Sequence, residues 1–181
     1  MSFILFITFL FIPQAYLTGQ IELPRTNSVD TIIQHVGYSL LYDETHEQAK
    51  WVAYELTSTE TQGKIKRSNY FQSDPLVESK SASSEDYKSS GYDRGHLAPA
   101  ADMKWSSTAM SESFYMSNMC PQTPSFNRGI WKRLENQVRM WALECGSVFI
   151  VTAGVLSEDL PKIGVNDVSV PGYYYKVILD Y

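Results

Sequence analysis

The sequence predicts an α+β fold, and three observations carry that prediction. Strand-like runs open the chain, a polar stretch follows, and a strand, a strong helix and two further strands close it. That order lacks the regular strand–helix alternation of a doubly wound parallel sheet. The length, 181 residues, suits one domain and leaves little room for two.

The elements are taken in chain order. Phe3 to Ile12 is an apolar run broken only by Thr8, followed by Pro13 and small or polar residues to Gly19. It is about half of the ~20 residues a membrane-crossing helix needs. It fits the core of a secretory signal peptide, although no Lys or Arg precedes it; an arginine-rich transit peptide fits worse. Residues 1–19 are therefore expected to be removed, leaving a mature domain of residues 20–181 that is secreted or periplasmic and free of the membrane. Ile33 to Tyr42 and Trp51 to Leu56 are rich in β-branched and aromatic residues and read as a hairpin or neighbouring strands. Ser68 to Ser90 is polar and serine-rich and reads as a long surface loop.

Ser106 to Glu112 reads as a short helix, and Phe114 to Met119 as a strand closed by Pro121 and Pro124. Asn127 to Cys145 is the best helix: Ile130, Leu134, Val138 and Trp141 recur at three- and four-residue spacing, and Gly146 supplies a stop. Val148 to Thr152 and Tyr173 to Leu179 read as strands. A helix of that length runs ~25 Å. Cys120 lies near its start and Cys145 at its end, whereas bridged Cα atoms lie within about 7 Å, so no disulfide joins them.

The 44% hydrophobic and 19% charged residues describe an ordinary globular chain rather than a disordered one. The net charge of −5 argues against a uniformly basic nucleic-acid coat but leaves room for a local basic groove. The acidity is uneven. Residues 20–61 hold seven acids and two bases, whereas residues 93–155 hold six bases and five acids. Lys64, Lys66 and Arg67 add a further basic cluster. No HExxH, CxxC, Gly-x-Ser-x-Gly or phosphate-binding glycine loop is present, so the usual zinc-protease, serine-hydrolase and nucleotide-binding signatures are missing.

What remains is Asp93-Arg94-Gly95-His96. On a strand, alternate residues share a face, so Arg94 and His96 point the same way. Imidazole titrates near pH ~6.5 and can act as a general base. The planar arginine fork suits a phosphate. A surface strand with an internal ion pair is the plainer alternative. A second cluster joins Ser117-Asn118 and Pro121-Gln122 to Asn127, Trp131, Glu135 and Arg139, the last four spaced by four along one helix stripe. An Asn oxygen suits Mg²⁺, which keeps several waters. Glu135 lies ~12 Å further along the helix, so it would act through a water. Asn127 can equally be a helix N-cap.

Together these motifs resemble the non-specific DNA/RNA endonucleases of the ββα-metal type, the endonuclease G-like family. The resemblance runs from about Tyr38 to the C-terminus and is densest from Tyr92 to Trp141. It implies an antiparallel-rich central sheet carrying a ββα-metal motif, and a metal-dependent endonuclease acting on DNA and RNA with little sequence preference. In that resemblance His96 is the general base and Asn127 the one protein ligand of Mg²⁺, with Mn²⁺ as a substitute. Glu135 holds the metal's waters, and Arg94, Arg139 and Arg128 contact phosphates. Asn118 stands near the site and orients the histidine, while Asp93 is structural. The resemblance admits a homodimer and, as an alternative location, the mitochondrial intermembrane space. Family members continue beyond the strand ending at Tyr181, so the domain is expected to be truncated at its C-terminus. An inactive binding module that has lost catalysis is the competing reading.

Overall fold

Strand β3 (Gln48–Thr57) is ten residues long and buried on both faces, so it has to lie inside a sheet rather than at its edge. The computed structural model describes residues 23–27, 30–79 and 81–180. It places β3 at the centre of a five-stranded sheet, between β2 (Ser39–Asp43) and β6 (Ser147–Gly154). β1 (Ile32–Gln34) and β9 (Tyr174–Leu179) take the outer positions, and every pairing is antiparallel. The α+β class and the antiparallel-rich sheet expected from the sequence are both present. The expected leader, residues 1–19, lies outside the described residues.

One face of the sheet builds the main core. Leu40, Val52, Tyr54, Leu56, Val148, Ile150 and Ile178 pack there against helix α3 (Lys132–Cys145). On the other face Leu41, Trp51 and Ala53 form a smaller cluster with Leu23. A separate antiparallel pair, β4 (Asp93–His96) with β5 (Met119–Gln122), sits beside this body. With α3 it makes the ββα unit. The remaining elements are α1 (Ser107–Glu112), the short α2 (Pro124–Phe126), and the small hairpin β7 (Lys162–Ile163) and β8 (Val168–Ser169).

Four local expectations are corrected. Ile33 to Tyr42 is a two-strand turn, because His35 N–H donates to Tyr38 O at 2.8 Å and folds β1 back onto β2. The strand expected over Phe114–Met119 starts later: Phe114 to Asn118 forms tight turns, and pairing with β4 begins only at Met119. The serine-rich stretch is not merely a surface loop, since Asp74, Ser81, Ala82, Asp86 and Tyr87 within it are buried.

The fourth concerns the helix. Its buried stripe is Trp131, Leu134, Val138 and Ala142, while Ile130 is 46% exposed. Asn127 to Trp131 is a wide π-type turn, and Gly129 breaks the helical backbone there with φ −101° and ψ −106°. Trp131 rather than Ile130 enters the core. Gly146, with φ +92°, ends α3 as expected from the sequence, donating its N–H to Ala142 O. Both cysteines are free thiols, Cys120 buried and Cys145 exposed.

Candidate active site

Strand alternation and one close approach build the site's floor. Arg94 and His96 lie on the same side of β4 and both line a cleft of about 400 Å³. The opposite side of β4 is pressed onto its partner strand: a Cβ on Gly95 would meet Gln122 Cδ at 2.2 Å. Only glycine lets β4 and β5 approach this closely between the arginine and the histidine.

Around the cleft stand Arg67, Arg94, Arg128, Lys132 and Arg139, with Glu135 the one carboxylate among its lining residues. A basic groove therefore exists on an acidic body, as the uneven charge distribution allowed. Two of the arginines are braced by aromatic rings. Arg94 Cζ lies 4.1 Å from the Phe71 centroid, and Arg67 Cζ lies 4.8 Å from that of Phe114. The same two rings contact the His96 imidazole edge-on, at 5.9 Å and 4.9 Å.

His96 is 8% exposed, and its Nε2 is buried with no hydrogen-bond partner among the described residues. Burial first, then the charges of Arg67 and Arg94, push its pKa down to about 3. The ring is thus neutral at physiological pH, with a nitrogen available to accept a proton.

Asn127 is not a helix N-cap. Its backbone is helical and its own N–H already donates to Thr123 O at 2.9 Å, because the helical segment begins at Pro124. Its side-chain Nδ2 donates to Asp93 Oδ2 at 2.9 Å. Since a carboxylate only accepts, the amide must turn its nitrogen to Asp93, which leaves Oδ1 for a ligand. Asp93 also receives the Arg128 fork, at 2.8 Å from Nε and 2.6 Å from Nη2. That fork, with Asn127 assisting, holds the Asp93 carboxyl below its ordinary range.

Glu135 faces the cleft from α3, and burial raises its pKa against the opposing pull of Lys176. Arg139 lines the cleft but is also engaged behind it: Nη1 donates to buried Asp102, whose second oxygen accepts from Tyr54 OH at 2.9 Å. Among the described residues no three His, Cys, Asp or Glu side chains converge as a metal cage. The available donors, one amide oxygen and one nearby carboxylate, fit a hard ion that keeps most of its water, not a thiolate–imidazole zinc site.

Asn118 is the sequence-predicted site residue that the structure moves away from the cleft. It is fully buried, its Nδ2 donating to the Ala98 and Ser113 carbonyls and its Oδ1 accepting from Ala98 N–H. It does not orient the imidazole by a side-chain bond; it clamps the main chain just after His96. Arg67, Phe71, Phe114 and Lys176 were not singled out as site residues from the sequence, although the Lys64–Arg67 charge cluster was visible there.

The model of the DNA/RNA non-specific endonuclease family matches residues 20–181. The chain belongs to that family. Among curated members of the DNA/RNA non-specific endonucleases, it is 37% identical over 173 residues to "Nuclease EXOG, mitochondrial" of Danio rerio, covering 89% of this chain and 50% of that protein. With "Endonuclease G, mitochondrial" of Homo sapiens it shares 34% over 158 residues, covering 79% of this chain and 52% of that one. "Nuclease 1, mitochondrial" of Schizosaccharomyces pombe is 34% identical, with 83% and 51% covered. The chain thus spans about half the length of the curated relatives it matches. A crystal structure described as the EndoG/EndoGI complex superposes with a TM-score of 0.77 at 34% identity, covering 83% of this chain and 68% of that one.

Proposed function

We propose that this chain is a metal-dependent endonuclease that hydrolyses phosphodiester bonds of DNA and RNA with little sequence preference. One observation carries the reading: a neutral imidazole with an unpartnered Nε2 at the base of a cleft lined by five cations. The names of the relatives support the same class of reaction.

His96 Nε2 accepts a proton from the attacking water, and the neutral ring is ready to do so without first shedding one. Arg94 and Arg67, fixed on their aromatic supports, stabilise the charge that builds on the phosphoryl oxygens. Arg139 adds a third cation from α3. Arg128, which is 72% exposed and paired with Asp93, must exchange that carboxylate for a phosphate to take part. Asn127 Oδ1 would hold Mg²⁺ or Mn²⁺ directly, and Glu135 would hold its waters. When bound, the ion neutralises charge on the phosphate and leaving oxygen. With contacts directed to the phosphate backbone, base edges go unread, which accounts for weak sequence preference.

A binding-only module is the competing reading, and a nicking assay separates the two. Supercoiled plasmid and a folded RNA should both be cut with Mg²⁺ and spared with EDTA. A protein that binds both polymers yet cuts neither in Mg²⁺ or Mn²⁺ would refute the nuclease reading. A homodimer belongs to the same reading, and light scattering reads it directly. The relatives' mitochondrial names favour the mitochondrial location over secretion, to be tested by fractionation of cells expressing the tagged chain. No helix among the described residues is long and apolar enough to cross a membrane.

A further inference from the structure

Lys176 lies within β9 with 1% of its surface exposed, on the strand face that also sends Ile178 into the core. A buried ammonium is unfavourable unless charges and acceptors surround it, and an aliphatic side chain would fill the same space without that cost. Its ammonium is held by groups just behind the cleft. Nζ donates to Leu97 O at 3.3 Å and stands 4.9 Å from the centroid of the Trp131 ring. The carboxylates that act on it are those of Glu135 and Asp102.

The two carboxylates differ in what else they have. Asp102 is already held by Arg139 and Tyr54. Glu135 has no hydrogen bond or close ion pair among the described residues, and Lys176 is the opposite charge that acts on it most strongly. Leu97 matters because it directly follows His96. Its N–H donates to Asn118 O at 3.0 Å, and Trp131 Nε1 donates to His96 O at 3.4 Å. The main chain behind the imidazole is thus held by Asn118 on one side and by Trp131 and Lys176 on the other.

We propose that Lys176 is a positioning residue of the nuclease reaction: its ammonium ties the main chain behind His96, through Leu97 O, to Trp131 on the helical segment that bears Asn127 and Glu135. The inference rests on the metal-dependent reading above. It gives β9, which carries none of the catalytic motifs, a defined part in the site.

The test uses the whole chain and the variants Lys176→Met and Lys176→Arg. Mn²⁺ binding to the metal-free proteins is measured by calorimetry or spin resonance, and cleavage kinetics are measured separately. Removing a partner that orients a metal's outer ligands typically weakens affinity about 10–100-fold, and that loss is expected for Lys176→Met. Its kcat should fall similarly while KM for duplex DNA holds, since the phosphate-binding arginines are untouched. Lys176→Arg should recover part of both. Should methionine prevent folding, Lys176→Gln carries the test, as it keeps a donor for Leu97 O and removes the charge. Native Mn²⁺ affinity and kcat in a folded charge-free variant would overturn the inference, leaving Lys176 as core filling. A parent chain without metal-dependent cleavage would instead sink the nuclease reading itself.

Discussion

Asn127 Nδ2 donates to Asp93 Oδ2 at 2.9 Å, and this single bond decides which end of the amide is left for a ligand. Asp93, expected from the sequence to be structural, would therefore act one step behind the proposed metal site. Asp93→Ala frees the amide to rotate and releases the Arg128 fork. Its Mg²⁺ half-saturation in a nicking assay should rise about 10–100-fold, as for other outer partners of metal ligands. An unchanged Mg²⁺ requirement would show that Asn127 is oriented by something else.

His96→Ala should lower cleavage by about 10²–10⁴-fold, the usual contribution of a positioned base. Binding of labelled DNA in EDTA, read by anisotropy, should be nearly unaffected because the cationic lining remains. A variant that cuts as fast as the parent would remove His96 from the mechanism.

The same residue makes stability pH-dependent with a definite sign. Its folded pKa of about 3 lies below the ordinary 6.5, so the folded state prefers the neutral ring. The unfolded chain binds the proton first as pH falls. The contribution is therefore fully present above ~6.5 and is lost progressively as pH drops from ~6.5 towards ~3. Denaturant midpoints at pH 7, 5.5 and 4.5 should fall more steeply for the parent than for His96→Gln, which cannot titrate. Parallel curves would mean the imidazole is not held neutral by burial.

That the site's main residues gather in one cleft was legible because most of them are close in sequence. Asp93 to His96 occupy one short strand, and Asn127, Glu135 and Arg139 one helical stripe. Alternation on β4 placed Arg94 and His96 on one side, as found. The helix phase was legible from Leu134 to Trp141, whereas the break at Gly129 was not, since nothing in the apolar spacing marks it. Arg67 and Phe71 reach the site from segments without strand or α-helix periodicity, and Phe114 from a turn that reads as a strand, so only tertiary packing brings them together. Lys176 carried a signal that was overlooked: a lysine two residues before Ile178 on a strand's buried face.

Salt dependence should report the phosphate-binding residues one by one. Each contact between a cation and a phosphate releases condensed counterions, so the slope of log affinity against log salt counts such contacts. Arg94→Ala, Arg67→Ala and Arg139→Ala should each reduce that slope by about one, with little change in sequence preference. Arg128→Ala is the informative contrast. Its fork is committed to Asp93 in the free protein, so a reduction of about one would show that it changes partner when the polymer binds. No reduction would confine Arg128 to holding Asp93.

Gly95→Ala tests the close approach that separates the base from its neighbouring arginine. The new methyl would sit 2.2 Å from Gln122 Cδ and cannot be accommodated without moving a fully buried side chain. Overpacking of this kind costs about 1–3 kcal/mol, and a shift of β4 would also displace His96 from the cleft. Gly95→Ala should therefore melt lower and cleave more slowly than the parent. Gln122→Ala alone leaves a void and two fewer unpartnered polar atoms, since neither end of that amide has a partner among the described residues. In the double variant Gly95→Ala/Gln122→Ala the methyl has room, so stability and activity should recover together relative to Gly95→Ala. If stability returns but activity does not, the Gln122 side chain is itself needed to hold β4 in its working position.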